Sequence, residues 1–187
     1  MVVDWRTSLW KQFGAAIDML DDAIGLCPDQ LWTAVLWRDP EDIRYGQFWF
    51  VAYHTLFWLD LYLTGSMEGF APPPPFKRGV LPEQPYPKDQ IQAYLGTCRR
   101  KCLSTIEAMT DEEAQQRCAF EWMEPSFFEL QLYSLRHVQE HAAQLSLLLG
   151  QHDVSGFDWI ASARDKTYWV GSHVRGTAKC TMGPQPS

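Results

Sequence analysis

The sequence predicts an all-α protein built as a four-helix bundle. Four segments repeat apolar residues every three to four positions, and each is bounded by proline, glycine or a capping aspartate. The chain has 187 residues, 46% of them hydrophobic and 14% aromatic, which is enough for one buried core. We therefore expect a bundle over residues 1–151 and a C-terminal extension over residues 152–187, packed on the bundle but loose at its end.

The first helix is predicted to use Asp4 as its N-cap and to end near Leu26, because Pro28 cannot continue it. Its solvent face is expected to carry three aspartates: Asp18, Asp21 and Asp22. The third helix is predicted from about Pro87 to Met109, and the fourth from about Pro125 to Gly150, with proline at the start and glycine at the end.

The second helix is predicted from about Tyr45 to Thr64 and is apolar on every side. A helix of this kind is buried all round, so one face would meet the bundle core and the other needs a separate cover. This surface predicts a homodimer with the second helix in the interface. The alternative is that the C-terminal extension covers it through Trp159 and Trp169.

A connector of about 22 residues, including four consecutive prolines at 72–75, separates the second and third helices. Antiparallel neighbours in a bundle need only about 2–8 residues between them. A crossover this long predicts that the second and third helices run parallel, as in bundles with one long connection.

Three histidines form the candidate functional site. His54 lies in an apolar stripe of the second helix, whereas His137 and His141 are four residues apart on the fourth, which places them about 6 Å apart on one side. Imidazoles from two facing helices can hold one divalent cation with an open coordination position, and nitrogen ligands favour zinc, nickel or copper over magnesium or calcium. Buried without a partner, each would lose about 1–3 kcal/mol. The alternative is that they are core histidines bonded to backbone or water.

Three polar residues of the fourth helix are candidates for supporting roles. Gln144 and Ser134 lie near the bisector of His137 and His141, where either could orient a ligand or fill a polar edge of the bundle. Glu140 is a candidate general base, because its side chain could reach a water molecule bound to the metal. The segment from His137 to His141 also matches the H-x-x-E-H string of inverted zinc peptidases. We interpret that match as accidental, since no glutamate follows His141 to supply the carboxylate ligand.

Cys98 and Cys102 repeat the one-turn spacing, but they fall on the apolar stripe of the third helix and are predicted to be core residues. The following aromatic residues could line a pocket for an apolar ligand or belong to the core: Phe50, Phe57, Trp58 and Trp122.

Charge and composition argue against several classes of partner. The net charge of −7 argues against nucleic acid, and we interpret the basic run at 99–101 as a solvated helix face. The apolar run from Phe48 to Leu63, about 16 residues, is too short to span a membrane. The start lacks the pattern of a signal peptide, and five cysteines without disulfide spacing fit a reducing cytoplasm, so we expect a cytoplasmic protein.

Two segments, residues 48–59 and 135–145, resemble the DinB/YfiT-like superfamily of metal-dependent enzymes over roughly residues 4–150. The shared pattern is a single histidine followed by His-x-x-x-His-x-x-Gln. The resemblance implies an up-down-down-up bundle, commonly a homodimer, with a divalent metal such as zinc or nickel held by His54, His137 and His141. Characterised relatives include transferases and isomerases that use low-molecular-weight thiols.

The expected function is therefore a metal-dependent enzyme, a thiol-dependent transferase or a hydrolase, acting on a small molecule. The alternative is a non-catalytic bundle that binds a metal or an apolar ligand, because the sequence offers no convincing acid–base residue beside the histidines.

Overall fold

The computed structural model describes residues 4–165, and within that range the chain is all-α with five helices and only isolated β-bridges. The helices are α1 (Trp5–Leu26), α2 (Phe48–Tyr62), α3 (Lys88–Ala108), α4 (Asp111–Gln115) and α5 (Phe127–Gln151). The four long helices confirm the four predicted ones. The short α4 was not predicted, since five residues are too few to show a helical period.

The helix starts follow local capping. The Asp4 side chain accepts a hydrogen bond from the Arg6 amide, as predicted, and Ser126 caps α5 by accepting from the Glu129 amide. The second helix begins later than predicted, because residues 43–46 form a separate 3₁₀ turn capped by Asp42. α2 therefore starts at Phe48.

The bundle pairs α1 with α3 and α5, and α2 with the same two helices, so that α1 and α2 occupy opposite corners. The central core is formed by fully buried side chains from all four long helices, including Phe13, Ile17, Trp49, Leu56, Leu95, Val138 and Leu145. None of the described helices is long and apolar enough to cross a membrane.

The outer face of α2 is covered by the crossover that follows it. Tyr53 stacks on Phe76 at 5.4 Å between ring centroids and meets Tyr86 at 5.1 Å, and Phe57 meets Phe70 at 5.4 Å. The same chain thus covers part of the surface on which the dimer prediction depended. Trp159 does not cover it, because that side chain is 77% exposed, and Trp169 lies outside the described residues.

The predicted solvent position of Asp18 is wrong. Asp18 is 1% exposed and accepts two hydrogen bonds, of 2.7 and 3.2 Å, from the guanidinium of Arg99, which is itself 5% exposed. Arg99 therefore does not belong to a solvated basic face either. The bidentate pairing supplies the partners that allow both charges to be buried.

The described part of the C-terminal extension packs on α1 and α3. The Ala163 amide donates to the Lys11 carbonyl at 2.8 Å, and the Arg164 amide donates to Asp18 at 2.7 Å. Gly14 allows this approach, because a Cβ at that position would lie only 2.5 Å from the Ala163 Cβ. The remainder of the predicted extension, from residue 166, lies outside the described residues.

Candidate metal centre

The three histidines meet where α2 faces α5. His54 lies in the middle of α2, with Phe50 and Trp58 one turn away on either side at 6.3 and 6.1 Å between ring centroids. His137 and His141 lie on the side of α5 that faces α2. All three imidazoles are half-buried. The convergence that the sequence predicts is thus present.

The histidines lie at the edge of the core. The centre of the buried face of α5 is formed by Val138, Ala142 and Leu145, each fully buried, and His137 and His141 flank that face. The site is therefore held by the packed bundle while remaining open on one side. Such placement is typical of reactive metal centres, in which a coordination position stays accessible.

The distances between the imidazole nitrogens fit a single metal ion. The Nε2 atoms of His137 and His54 are 3.3 Å apart, and those of His141 and His137 are 3.1 Å apart. All three ligand atoms lie within 4.8 Å of one another. Metal–nitrogen bonds of about 2.0–2.1 Å at tetrahedral angles separate two ligand nitrogens by about 3.3–3.4 Å. The two measured separations, 3.3 and 3.1 Å, are therefore close to those that a zinc-sized cation requires.

Gln144 fixes the orientation of one ligand. Its Oε1 atom lies 2.7 Å from Nδ1 of His141. Because an amide oxygen only accepts hydrogen bonds, Nδ1 donates and carries the proton, which leaves the Nε2 lone pair facing the other histidines. Of the two predicted orienting residues, Gln144 contacts a ligand directly.

Ser134 has a different environment. Its side chain is fully buried, and its hydroxyl has no hydrogen-bond partner among the described residues. The Nδ1 atom of His137, one turn further along α5, is also buried without a partner in the described part of the chain. The three ligands are therefore supported unequally.

Burial keeps the imidazoles in the form that binds metal. Desolvation, with a smaller contribution from His141, lowers the pKa of His54 to about 4. Desolvation, followed by the neighbouring His141 and His54, lowers the pKa of His137 to about 3. The neutral imidazole is the ligand form, so both residues are ready to bind a cation at neutral pH.

Glu140, the candidate base, is exposed on α5. No hydrogen bond or ion pair joins it to the histidines in the described structure, and no carboxylate belongs to the cluster that could hold an ion. The arrangement can therefore bind and polarise a ligand at a metal, but it places no acid–base carboxylate next to that position.

A pocket of about 180 Å³ lies beside His54. Three of the four aromatic residues predicted for such a pocket line it, namely Phe50, Phe57 and Trp58. Trp122 instead packs edge-on against Trp58 at 5.6 Å and is half exposed. The sequence reasoning missed the other lining residues: Tyr45, Tyr53, Gly79, Val80 and Leu81. Tyr53 could have been found, because it is three residues after Phe50 and belongs to the same helical face.

Cys98 and Cys102 are fully buried core residues, as predicted. Burial raises the pKa of both thiols, and the Cys98 sulfur is directed toward the Leu56 carbonyl at 3.7 Å. The prediction that these two cysteines pack in the core is confirmed.

An all-helical fold whose facing helices bring three histidines together defines a class of helical protein with a site that could hold a metal ion. The sequence profile of the DinB superfamily matches residues 12–145, and the chain belongs to that superfamily. The match includes all three histidines and confirms the resemblance seen in the sequence. No curated protein and no solved structure matches the chain.

Proposed function

We propose that this protein is a metal-dependent enzyme, a thiol-dependent transferase or a hydrolase, that activates a low-molecular-weight thiol or water for attack on a small electrophile. The observation that carries the proposal is the convergence of three imidazoles, one of which, His54, also lines a pocket. A divalent ion, zinc or nickel, bound there would lower the pKa of a thiol or water molecule toward neutrality.

The residues of the site have different roles in this proposal. His54, His137 and His141 hold the ion, and Gln144 keeps His141 in the tautomer that presents Nε2. Gln144 is already bonded to a ligand, so its role is to position that ligand. Glu140 stays a candidate base that exchanges protons with solvent.

A turnover screen tests this function. Zinc- or nickel-loaded protein is assayed with several low-molecular-weight thiols and electrophiles, and with simple esters and amides. Turnover that needs metal and is lost in His141→Ala supports the enzyme, provided that His152→Ala behaves like the wild type. His152 is an exposed histidine at the C-terminal cap of α5 and serves as the matched control.

A non-catalytic bundle that binds a metal or an apolar ligand is the second candidate. The observation that favours it is the absence of a carboxylate from the histidine cluster in the described residues. Tight binding of metal and ligand without turnover in the same screen would select this candidate and reject the enzyme.

We also propose that the bundle is wound up-down-down-up. Contacts between helix ends support this order: Lys88 with Cys27, Trp5 with Phe128, and Gln131 with Tyr62. The contact of Lys88 with Cys27 joins the start of α3 to the end of α1, as expected when these helices are antiparallel. Trp5 and Phe128 join the starts of α1 and α5, which are therefore parallel. Gln131 and Tyr62 join the start of α5 to the end of α2, as expected when these two are antiparallel. An experimental structure with α2 and α3 antiparallel would contradict the proposal.

A homodimer in the reducing cytoplasm completes the proposal. Four described cysteines are unpaired thiols, which suits a reducing compartment.

Since the crossover covers part of α2, an interface between two copies needs other apolar residues. α5 exposes Leu132, Tyr133 and Leu147. Light scattering on the full-length protein at micromolar concentration tests the assembly, and a monomer would refute it.

A further inference from the structure

The pocket beside His54 is built mainly from one face of α2. Phe50, Tyr53, Phe57 and Trp58 are spaced so that they share this face with His54. Their rings meet at 5.4–6.2 Å in edge-to-face or tilted arrangements. The same turn of helix therefore presents both a candidate metal ligand and an aromatic wall, so a molecule bound against the wall contacts His54.

The lining is uncharged. None of the residues that line the pocket is Asp, Glu, Lys or Arg. The Tyr53 hydroxyl, one of its polar atoms, donates to the Lys77 carbonyl at 3.2 Å. A charged group placed against these rings would lose its hydration without gaining an opposite charge, which is costly. The pocket therefore favours a neutral apolar group.

The size of the pocket narrows the class of ligand further. Its volume is about 180 Å³. A cavity of about 150 Å³ lined by apolar side chains binds benzene in another protein. One six-membered ring, or a branched alkyl group of similar volume, fills the space, whereas two fused rings exceed it.

The outer wall is a short piece of the crossover, residues 79–81, that is held at both ends. On one side the Tyr53 hydroxyl binds the Lys77 carbonyl; on the other Arg44 donates to the Pro82 carbonyl at 2.9 Å. Arg44 is in turn held by Asp42 at 2.6 Å. Gly79 has a φ of +68°, which a residue without a side chain adopts easily. These contacts keep the pocket formed before a ligand arrives.

We propose that this pocket is the subsite for a neutral, ring-sized apolar group, such as a benzyl or branched alkyl group, carried by the small molecule that reacts beside His54. The reaction beside His54 rests on the proposed function, whereas binding of the apolar group does not. Equilibrium binding therefore tests the subsite separately from turnover.

Binding of small alcohols to zinc-loaded full-length protein, measured by ligand-observed NMR titration, tests the class of ligand. Each buried methylene should tighten binding about fourfold. Benzyl alcohol should therefore bind at least tenfold tighter than ethanol, and 1-naphthylmethanol more weakly than benzyl alcohol. Equal affinities for benzyl alcohol and ethanol would overturn the proposal. Choline is the cationic isostere of 3,3-dimethyl-1-butanol, and tighter binding of choline would overturn the assignment to a neutral group.

Two tryptophan substitutions locate the site. Val80 lines the pocket and is 49% exposed, so the larger side chain in Val80→Trp can fill the pocket without overpacking the core. We expect at least a tenfold loss of benzyl alcohol affinity, with zinc content unchanged. The matched control is Val35→Trp, at a valine that is 36% exposed and lies outside the pocket lining. Equal loss in both variants, or in neither, would overturn the proposal.

A third variant enlarges the pocket. Phe57→Ala removes one ring from the wall and should allow 1-naphthylmethanol to bind at least as tightly as benzyl alcohol. Thermal unfolding confirms that each variant is folded. Ring binding without any turnover would leave the subsite intact and reject the enzyme. Turnover by the wild type, together with an unchanged affinity of Val80→Trp for benzyl alcohol, would support the enzyme and reject the subsite.

Discussion

Gln144 lies three residues after His141 on α5, and its Oε1 atom is 2.7 Å from Nδ1 of that histidine. By contrast, Nδ1 of His137 is buried without a partner in the described residues. The tautomer of His141 is therefore fixed by a side chain, while that of His137 is not. Residues that hold a metal ligand in this way typically contribute about 10–100-fold to metal affinity.

Replacing Gln144 should weaken the metal site without unfolding the bundle. We expect Gln144→Ala to lower zinc affinity about 10–100-fold, and Gln144→Glu to retain most of it, because a carboxylate also accepts the Nδ1 proton. Competition with a colorimetric chelator measures the affinity. Gln139→Ala is the matched control, since Gln139 lies on the same helix and its side chain hydrogen-bonds to Met19 and to no histidine among the described residues. A Gln144→Ala protein with wild-type affinity would contradict the orienting role.

Metal binding should stabilise the fold through the three histidines. A metal that binds only the folded chain adds about 2.7 kcal/mol when its free concentration is 100 times the Kd. For a domain of this size, that raises the Tm by roughly 5–11 °C. We expect the shift and the metal content to disappear in the double variant His54→Ala, His141→Ala and to remain in His152→Ala. Elemental analysis that finds equal metal in wild type and double variant would reject the site.

Local signals explain which parts of the fold could be predicted. Asp4 caps α1 through its own neighbours, and Pro87 precedes α3, so both boundaries can be derived from a few adjacent residues. The histidine spacing is also local, and the apolar surroundings of His54 place it on a helix that must pack against α5. The fold class and the convergence of the three histidines followed from these patterns.

The remaining features depend on contacts between distant residues. Asp18 and Arg99 are 81 residues apart in the sequence. In the pattern of its own helix, each lies on the side that is expected to face solvent. The outer wall of the pocket, including Val80, belongs to a segment without helical or strand periodicity, so no pattern assigns it to His54. Three-dimensional packing was needed to reveal both.

Cys27 should make the stability of the protein sensitive to alkaline pH. The residue is 1% exposed, and burial raises the pKa of its thiol to about 12, compared with about 8.5 in an unfolded chain. The stability that this thiol contributes is therefore complete below pH 8.5 and is lost as the pH rises toward 12. The loss should be about 1.4 kcal/mol for each pH unit above 8.5.

Urea unfolding at pH 8, 9 and 10 under reducing conditions measures this slope. Cys27→Ala should lower the slope, because the substituted side chain no longer titrates. Thr55→Ala should leave it unchanged, because the buried Thr55 hydroxyl does not titrate in this range. Identical slopes in Cys27→Ala and the wild type would show that Cys27 does not contribute.

The Asp18–Arg99 pair should be the most sensitive polar contact in the described structure. Arg99→Met removes the charged partner of a carboxylate that is 1% exposed, and breaking a buried pair in this way costs about 3–5 kcal/mol. The same change removes the hydrogen bond from Arg99 to the Arg164 carbonyl, so the extension should also become more accessible to proteases. Urea unfolding and limited proteolysis measure the two effects.

Two further variants distinguish the contribution of this buried pair to stability from that of an ordinary surface charge. Asp18→Leu combined with Arg99→Met should recover most of the lost free energy of unfolding, because no unpaired charge stays buried. Arg100→Met should change stability by no more than about 0.5 kcal/mol, since Arg100 is exposed and bonds only to Thr97 among the described residues. The expectation fails if Arg99→Met is as mild as Arg100→Met, or if the double variant is no more stable than Arg99→Met alone. A mild Arg99→Met would mean that other contacts hold the extension, including the Ala163–Lys11 bond and the Arg164–Asp22 ion pair.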